Sequence, residues 1–101
     1  MTPGMHVLHD EVGHRFYLPL ENGGEALLQY LQEGDVLDFY HTYVPEEART
    51  KGLAEMVVEA GFQYAQEHHL KVIPTCPYVS AAFLRKRKEF LPLVIPAKAG
   101  I

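Results

Sequence analysis

A chain of 101 residues, 48% hydrophobic and 22% charged, has room for one small domain around one core. Nine basic against thirteen acidic residues leave a net charge of −4, which argues against the basic footprint of a nucleic-acid binder. One cysteine, Cys76, rules out an internal disulfide, and no apolar run nears the ~20 residues of a membrane span. The opening "MTPGMHVLHDEVGH" has neither a basic region nor an apolar stretch of a signal peptide, so the expectation is a cytoplasmic protein with a reduced thiol.

The first elements are strands. Met5 to His9 is a short candidate and Arg15 to Leu20 a better one. "ENGG" at 21–24 contains Asn-Gly, a strong hairpin signal. By propensity "EALLQYLQ" at 25–32 suits helix or strand, but a hairpin turn before it and Glu33-Gly34-Asp35 after it make it a strand. "VLDFYHTYV" at 36–44 is rich in β-branched and aromatic residues and is the surest strand. Strict alternation would put Leu37, Phe39, His41 and Tyr43 on one face and Asp38, Tyr40 and Thr42 on the other. Pro45, with no N–H to donate, ends the pairing.

From about Thr50 to His69 the period becomes helical, with Ala54, Val57, Val58, Gly61 and Ala65 at three- and four-residue spacing. "LKVIPTCPYV" at 70–79 is a strand whose second half Pro74 and Pro77 keep from normal pairing. Ser80 is placed to cap a last helix, "AAFLRKRKEF". The tail from Leu91 has two prolines and no period and is expected to be loosely held, leaving a core of about 6–90. The strands flanking the long helix should be parallel neighbours joined by a right-handed crossover.

The turn Arg49-Thr50-Lys51-Gly52 opens that helix. The first N–H groups of a helix lack internal partners and carry the positive end of its dipole, which suits a phosphate. Gly52 allows close approach, Ala54 keeps the next turn slim, and Arg49 and Lys51 add positive charge. From these residues alone, a plain strand-to-helix turn explains the same stretch.

The order Val-Pro, then Arg-x-x-Gly-x-Ala opening a helix, resembles the acetyl-CoA signature of the GNAT acetyltransferase superfamily. With His-Thr before Val-Pro and Thr-Cys-x-Tyr after the next strand, the chain is similar to a branch of about one hundred residues. The resemblance covers roughly residues 6 to 94. It implies an α/β fold with a mixed sheet: antiparallel N-terminal strands, two splayed parallel strands around a crossover helix, and a C-terminal helix. It also implies transfer of an acyl group, acetyl above all, from coenzyme A to an amine. The N–H groups of Thr50, Lys51, Gly52, Leu53 and Ala54 would hold the pyrophosphate, with Arg49 at the motif position usually filled by Gln or Arg. Val44 would offer main-chain groups to the pantetheine arm. Many members of the small branch have Glu where this chain has Tyr43, and larger relatives place an acidic Tyr on the last helix where this chain has Phe83. The acceptor is therefore left open.

Transfer from a thioester to an amine needs the amine deprotonated and the thiolate protonated. His41 is the base candidate, and burial beside Leu37 and Phe39 would favour its neutral form; the same burial would also suit a core histidine. Cys76 sits where the acyl group should lie, either as a covalent relay or as a small hydrophobe lining the pocket. Tyr78 and Ser80 follow as contacts for the cofactor arm. Arg85-Lys86-Arg87-Lys88 is a solvated helix face or a contact for the ribose phosphate. No metal-ligand spacing occurs among six histidines and one cysteine. Two other functions stay open: a coenzyme A-binding module without efficient transfer, and an interaction domain that has lost the ligand.

Overall fold

The computed structural model describes residues 6–21 and 23–96. Four strands, β1 (Leu8–Asp10), β2 (Arg15–Pro19), β3 (Glu25–Glu33) and β4 (Val36–Tyr43), run as an antiparallel meander. A 3₁₀ turn, Glu46–Ala48, leads into α1 (Leu53–Glu67), which crosses back to β5 (Lys71–Ile73), parallel to β4. The spatial order is β1-β2-β3-β4-β5. This is the expected mixed α/β sheet. The β2–β3 hairpin closes with the Leu20 N–H donating to the Gly24 carbonyl at 2.8 Å, and Gly23 takes a left-handed φ of 97°. Asn22 of that turn, and Met5 of the first strand candidate, lie outside the described residues.

Strict alternation fails in the middle of β4. Gln29 of β3 faces His41, but Tyr30 faces Phe39, so Tyr40 is an extra residue, a β-bulge. One inserted residue reverses the phase of everything after it. Leu37 and Phe39 point into the core, fully buried. Thr42, opposite the buried Leu28, now joins their face, while His41 and Tyr43 turn outward and are exposed. The shared face of His41 with Leu37 and Phe39, expected from period two, is therefore corrected.

The core lies between the sheet and α1. The helix buries Leu53, Val57, Val58, Gly61, Phe62 and Ala65, a stripe at helical spacing. Gly61 marks the closest approach, since a Cβ there would stand 2.8 Å from Leu28 Cδ2 and 2.9 Å from Phe39 Cζ.

Beyond β5 the expectations need more revision. Only Lys71–Ile73 pairs as a strand, and a wide π-helical turn begins at Tyr78 (Tyr78–Phe83). It runs into a short α2 (Leu84–Lys86) and a 3₁₀ segment, Lys88–Leu93, so the last helix is in three pieces. Ser80 lies inside the first of them rather than capping it, and its Oγ donates back to the Cys76 and Pro77 carbonyls, each at 3.5 Å. Pro77, whose fixed φ suits a first turn, precedes the helical run. Phe83 and Phe90 stack on Phe62 of α1 at 5.4 and 5.1 Å. The start of the tail is held: Val94 bridges Val72, and the Ile95 N–H donates to the Val72 carbonyl at 2.8 Å. The expectation of a loose tail thus fails for 91–95, and 97–101 lie outside the described residues.

Candidate functional site

Strands β4 and β5 share a short ladder, from Val36 opposite Lys71 to Asp38 opposite Ile73. One more contact follows, the Cys76 N–H donating to the Phe39 carbonyl at 2.9 Å. There they part. Pro74 has no N–H to continue the ladder, and among the described residues Tyr40–Tyr43 meets no partner on its β5 side. Thr75 ties the rim of the gap through its hydroxyl, which donates to Asp38 Oδ1.

The chain leaves β4 through Val44 and Pro45, both buried, and reaches α1 at Gly52. Gly52 has φ 72°, the left-handed region that glycine occupies without strain. A Cβ built there would meet nothing within 4 Å among the described residues, so the approach to the helix end is open. The helical ladder starts with the Met56 N–H donating to the Gly52 carbonyl at 3.3 Å, and no described side chain caps the preceding N–H groups. The amides of Leu53, Ala54 and Glu55 therefore face the open end.

Glu55 in this first turn would repel an anion, but its charge is already met. Arg87 Nη1 lies 3.3 Å from one carboxylate oxygen and Lys86 Nζ 3.7 Å from the other. Arg87 also reaches Glu59 at 3.0 Å and Glu89 at 2.8 Å, while its guanidinium lies over Phe83 and Phe90. These carboxylates raise the Arg87 pKa, and the Arg87 hydrogen bond holds Glu89 below its ordinary value. Of the basic run, Arg87 is thus a structural clasp, while Arg85, Lys86 and Lys88 are exposed. Arg49 is anchored differently: its Nε donates to the Val44 carbonyl at 2.9 Å, bracing the chain between β4 and α1. Lys51 is exposed beside it.

At the base of the gap Cys76 is buried, with its Sγ 3.3 Å from Thr42 Oγ1. Tyr78 is half-buried close by; burial raises its pKa, with smaller pushes from Glu55 and Cys76. Tyr78 opens the π-helical turn two residues after the cysteine. Val44 and Arg49 to Ala54 thus link the open half of β4 to the start of α1, and Cys76 follows β5 on the other side of the gap. His41 belongs to the same unpaired half of β4 and is exposed on the outer face of the sheet. Ser80 is exposed. Among the described residues no group of three His, Cys, Asp or Glu could hold a metal, and no helix is long and apolar enough to cross a membrane.

The family model described as GCN5-related N-acetyl-transferase matches residues 15–93. The chain belongs to this family. The match runs from β2 through the end of the last 3₁₀ segment, so it includes the gap, the helix end and Cys76. The enzyme is an N-acetyltransferase, and acyl transfer is its general activity. Its fold is similar to that of a GCN5-like protein from Staphylococcus aureus solved by NMR in solution. The TM-score is 0.71 at 21% identity, covering 98% of this chain and 96% of that one.

Sequence reasoning assigned no role to Thr42, which the bulge turns inward onto the cysteine. Its place in His-Thr-x-Val-Pro was the only signal. Asp38 and Thr75, which close the rim, were also missed, because nothing in either stretch indicates that the two pair across 37 positions.

Proposed function

We propose that this acetyltransferase takes an acetyl group from acetyl-CoA, bound along the path from the α1 amino end into the β4–β5 gap, and delivers it to an amine. The observation that carries this reading is the parting of β4 from β5 beside an uncapped helix end with Gly52 at φ 72°. The residues fit the cofactor: the open space over Gly52 admits a phosphate, and the N–H groups of Thr50 and of Gly52 to Ala54 and the charges of Arg49 and Lys51 suit its oxygens, the Lys51 N–H being already bonded to the Ala48 carbonyl. When bound, acetyl-CoA supplies an acyl carbon activated as a thioester.

Val44 flanks the pantetheine arm, although its carbonyl already accepts from Arg49, so the arm would use its N–H. Cys76 and Thr42 line the acyl pocket from within, and Tyr78, half-buried at the start of the next turn, flanks the arm. Ser80, exposed and bonded back to Cys76 and Pro77, supports that turn. His41, on the outer face, takes the proton released as the amine nitrogen bonds to the acyl carbon, while the departing thiolate gains a proton. This assigns Cys76 to pocket lining: its thiol is buried and faces a neutral hydroxyl.

Binding is tested by thermal shift with acetyl-CoA and coenzyme A. Specific binding stabilises the fold by about 2.7 kcal/mol at a hundredfold excess over the dissociation constant. Transfer is tested by release of free thiol in the presence of amines. Stabilisation without thiol release from any amine would leave a coenzyme A-binding module; no stabilisation would remove the cofactor assignment. Intact-mass measurement after acetyl-CoA exposure separates the roles of Cys76. No added acetyl group is expected on the protein, and one that disappears in Cys76→Ala would restore the covalent relay.

A further inference from the structure

The sheet face turned away from α1 carries an apolar row. Register sets Leu8 opposite Tyr17, Tyr17 opposite Leu27, and Leu27 opposite Tyr43, so four consecutive strands contribute one residue each. Leu8 and Tyr43 at its ends are 44% and 46% exposed, and Tyr17 and Leu27 between them are half-buried. Three strand spacings make the row roughly 14 Å long. Its Tyr43 end stands on the unpaired half of β4, one residue before Val44. The parallel row beside it, Asp10, Arg15, Gln29 and His41, ends at the same open edge.

The charges beside the row are already paired with one another. Arg15 lies over the Tyr17 ring at 4.2 Å, donates through Nε to Asp10 at 3.4 Å and through Nη1 to Glu25. A guanidinium holding two carboxylates is a poor reader of a phosphate or carboxylate, and those carboxylates are poor readers of a polycation. What the row offers is uncharged, extended contact area. A second copy of the chain is a poor occupant, because four side chains fall far short of the roughly 20–30 residues a side of a stable interface.

We infer that the row Leu8–Tyr17–Leu27–Tyr43 is the acceptor platform, and that the acceptor is a primary amine on an extended, uncharged alkyl or aryl body. The inference rests on the transferase reading above. The amine nitrogen sits at the Tyr43 and His41 end, facing the gap, and the body lies across β3 and β2 towards β1. The reaction forms the C–N bond and breaks the C–S bond, with the nitrogen's proton passing to His41 and the thiolate released as free coenzyme A.

The experiment measures kcat/KM by thiol release for ethylamine, butylamine, hexylamine and octylamine, with spermidine and lysine as charged comparisons. The expected result is a rise of roughly two- to fourfold per methylene, the upper figure being that of a fully buried CH₂ group. Spermidine and lysine should do no better than ethylamine. In Leu27→Thr and Tyr17→Thr the ratio of octylamine to ethylamine should fall about tenfold, the loss of a few methylenes of contact. A flat series, a preference for spermidine, or an unchanged ratio in both variants would overturn the platform and leave the transferase reading standing. No thiol release with any of these amines, while acetyl-CoA still stabilises the fold, would overturn both. Light scattering at assay concentration should give a monomer; a dimer dispersed by Leu27→Thr would assign the row to a second copy and overturn the inference.

Discussion

From Val36 to Asp38 strand β4 is paired on both sides, and the Phe39 carbonyl extends the contact with the β5 side to Cys76; from His41 to Tyr43 it is paired with β3 alone. The first half buries Leu37 and Phe39 completely, while the second leaves His41, Tyr40 and Tyr43 exposed. The bulge at Tyr40 is the boundary. Buried backbone groups are nearly always satisfied within a fold, so a strand edge kept open beside a core is a place for something else to bond. One continuous strand thus supplies the floor of the core and the wall of the candidate site, and the two halves should respond to mutation in opposite ways.

The largest effect expected is on the first half. Phe39→Ala should cost about 3–5 kcal/mol of folding stability, because it empties a fully buried ring site against Phe62. Tyr43→Ala should stay within about 0.5 kcal/mol. Urea denaturation of both variants checks the contrast, and equal losses would erase the boundary. At the helix end, Gly52→Asp should fold, because aspartate tolerates the left-handed region better than most residues and its Cβ meets open space. It should lose the stabilisation by coenzyme A, about 2.7 kcal/mol at a hundredfold excess of ligand over its dissociation constant. A folded variant with normal affinity would detach the cofactor from this turn.

For the second half, His41→Gln should lower kcat/KM by roughly a hundredfold while leaving coenzyme A affinity nearly unchanged. Rates across pH for both proteins check it, and an unchanged profile would return His41 to plain surface. The smallest effect concerns a histidine far from the gap. His9 stacks on Phe16 at 4.0 Å, bonds the Tyr30 hydroxyl at 2.7 Å and meets the edge of Tyr64. Burial lowers its pKa, against opposing pulls from Glu11 and Asp10. A histidine lowered on folding binds fewer protons in the native state, so its contribution is present above the ordinary value of 6.5 and is lost as pH falls below it. Melting temperatures taken at about pH 7.5 and about pH 5.5 should therefore fall less in His9→Gln than in the parent. An equal fall would place the acid sensitivity elsewhere.

Much of the fold was legible because its signals are local. Asn-Gly at 22–23 marked the β2–β3 hairpin, and the aromatic and β-branched run at 36–44 marked β4. Helical spacing from Val57 to Ala65 gave the buried stripe of α1. The helix-end turn was legible because glycine and basic residues stood at its start. The bulge was not: a period of two says nothing about which residue is supernumerary, and the pairing of β3 with β4 decides it. That single unknown put His41 on the wrong face and hid Thr42. Ser80 misled because a serine before a helical run suits a cap, yet Pro77 had already turned the chain. The hold on 91–95 depends on Val72, 22 residues before Val94 in the sequence, and no local pattern announces it.

The hold of Val94 and Ile95 on Val72 also bears on colloidal behaviour. A parallel strand of three residues at the rim of a sheet would otherwise present a row of unpaired N–H and C=O groups, a template on which another chain can extend the sheet. The returning segment occupies that template, and Pro96 beyond it has no N–H to offer a further partner. Val94 and Ile95 therefore cover the outer edge of β5, and shortening the chain before Val94 should show first as aggregation.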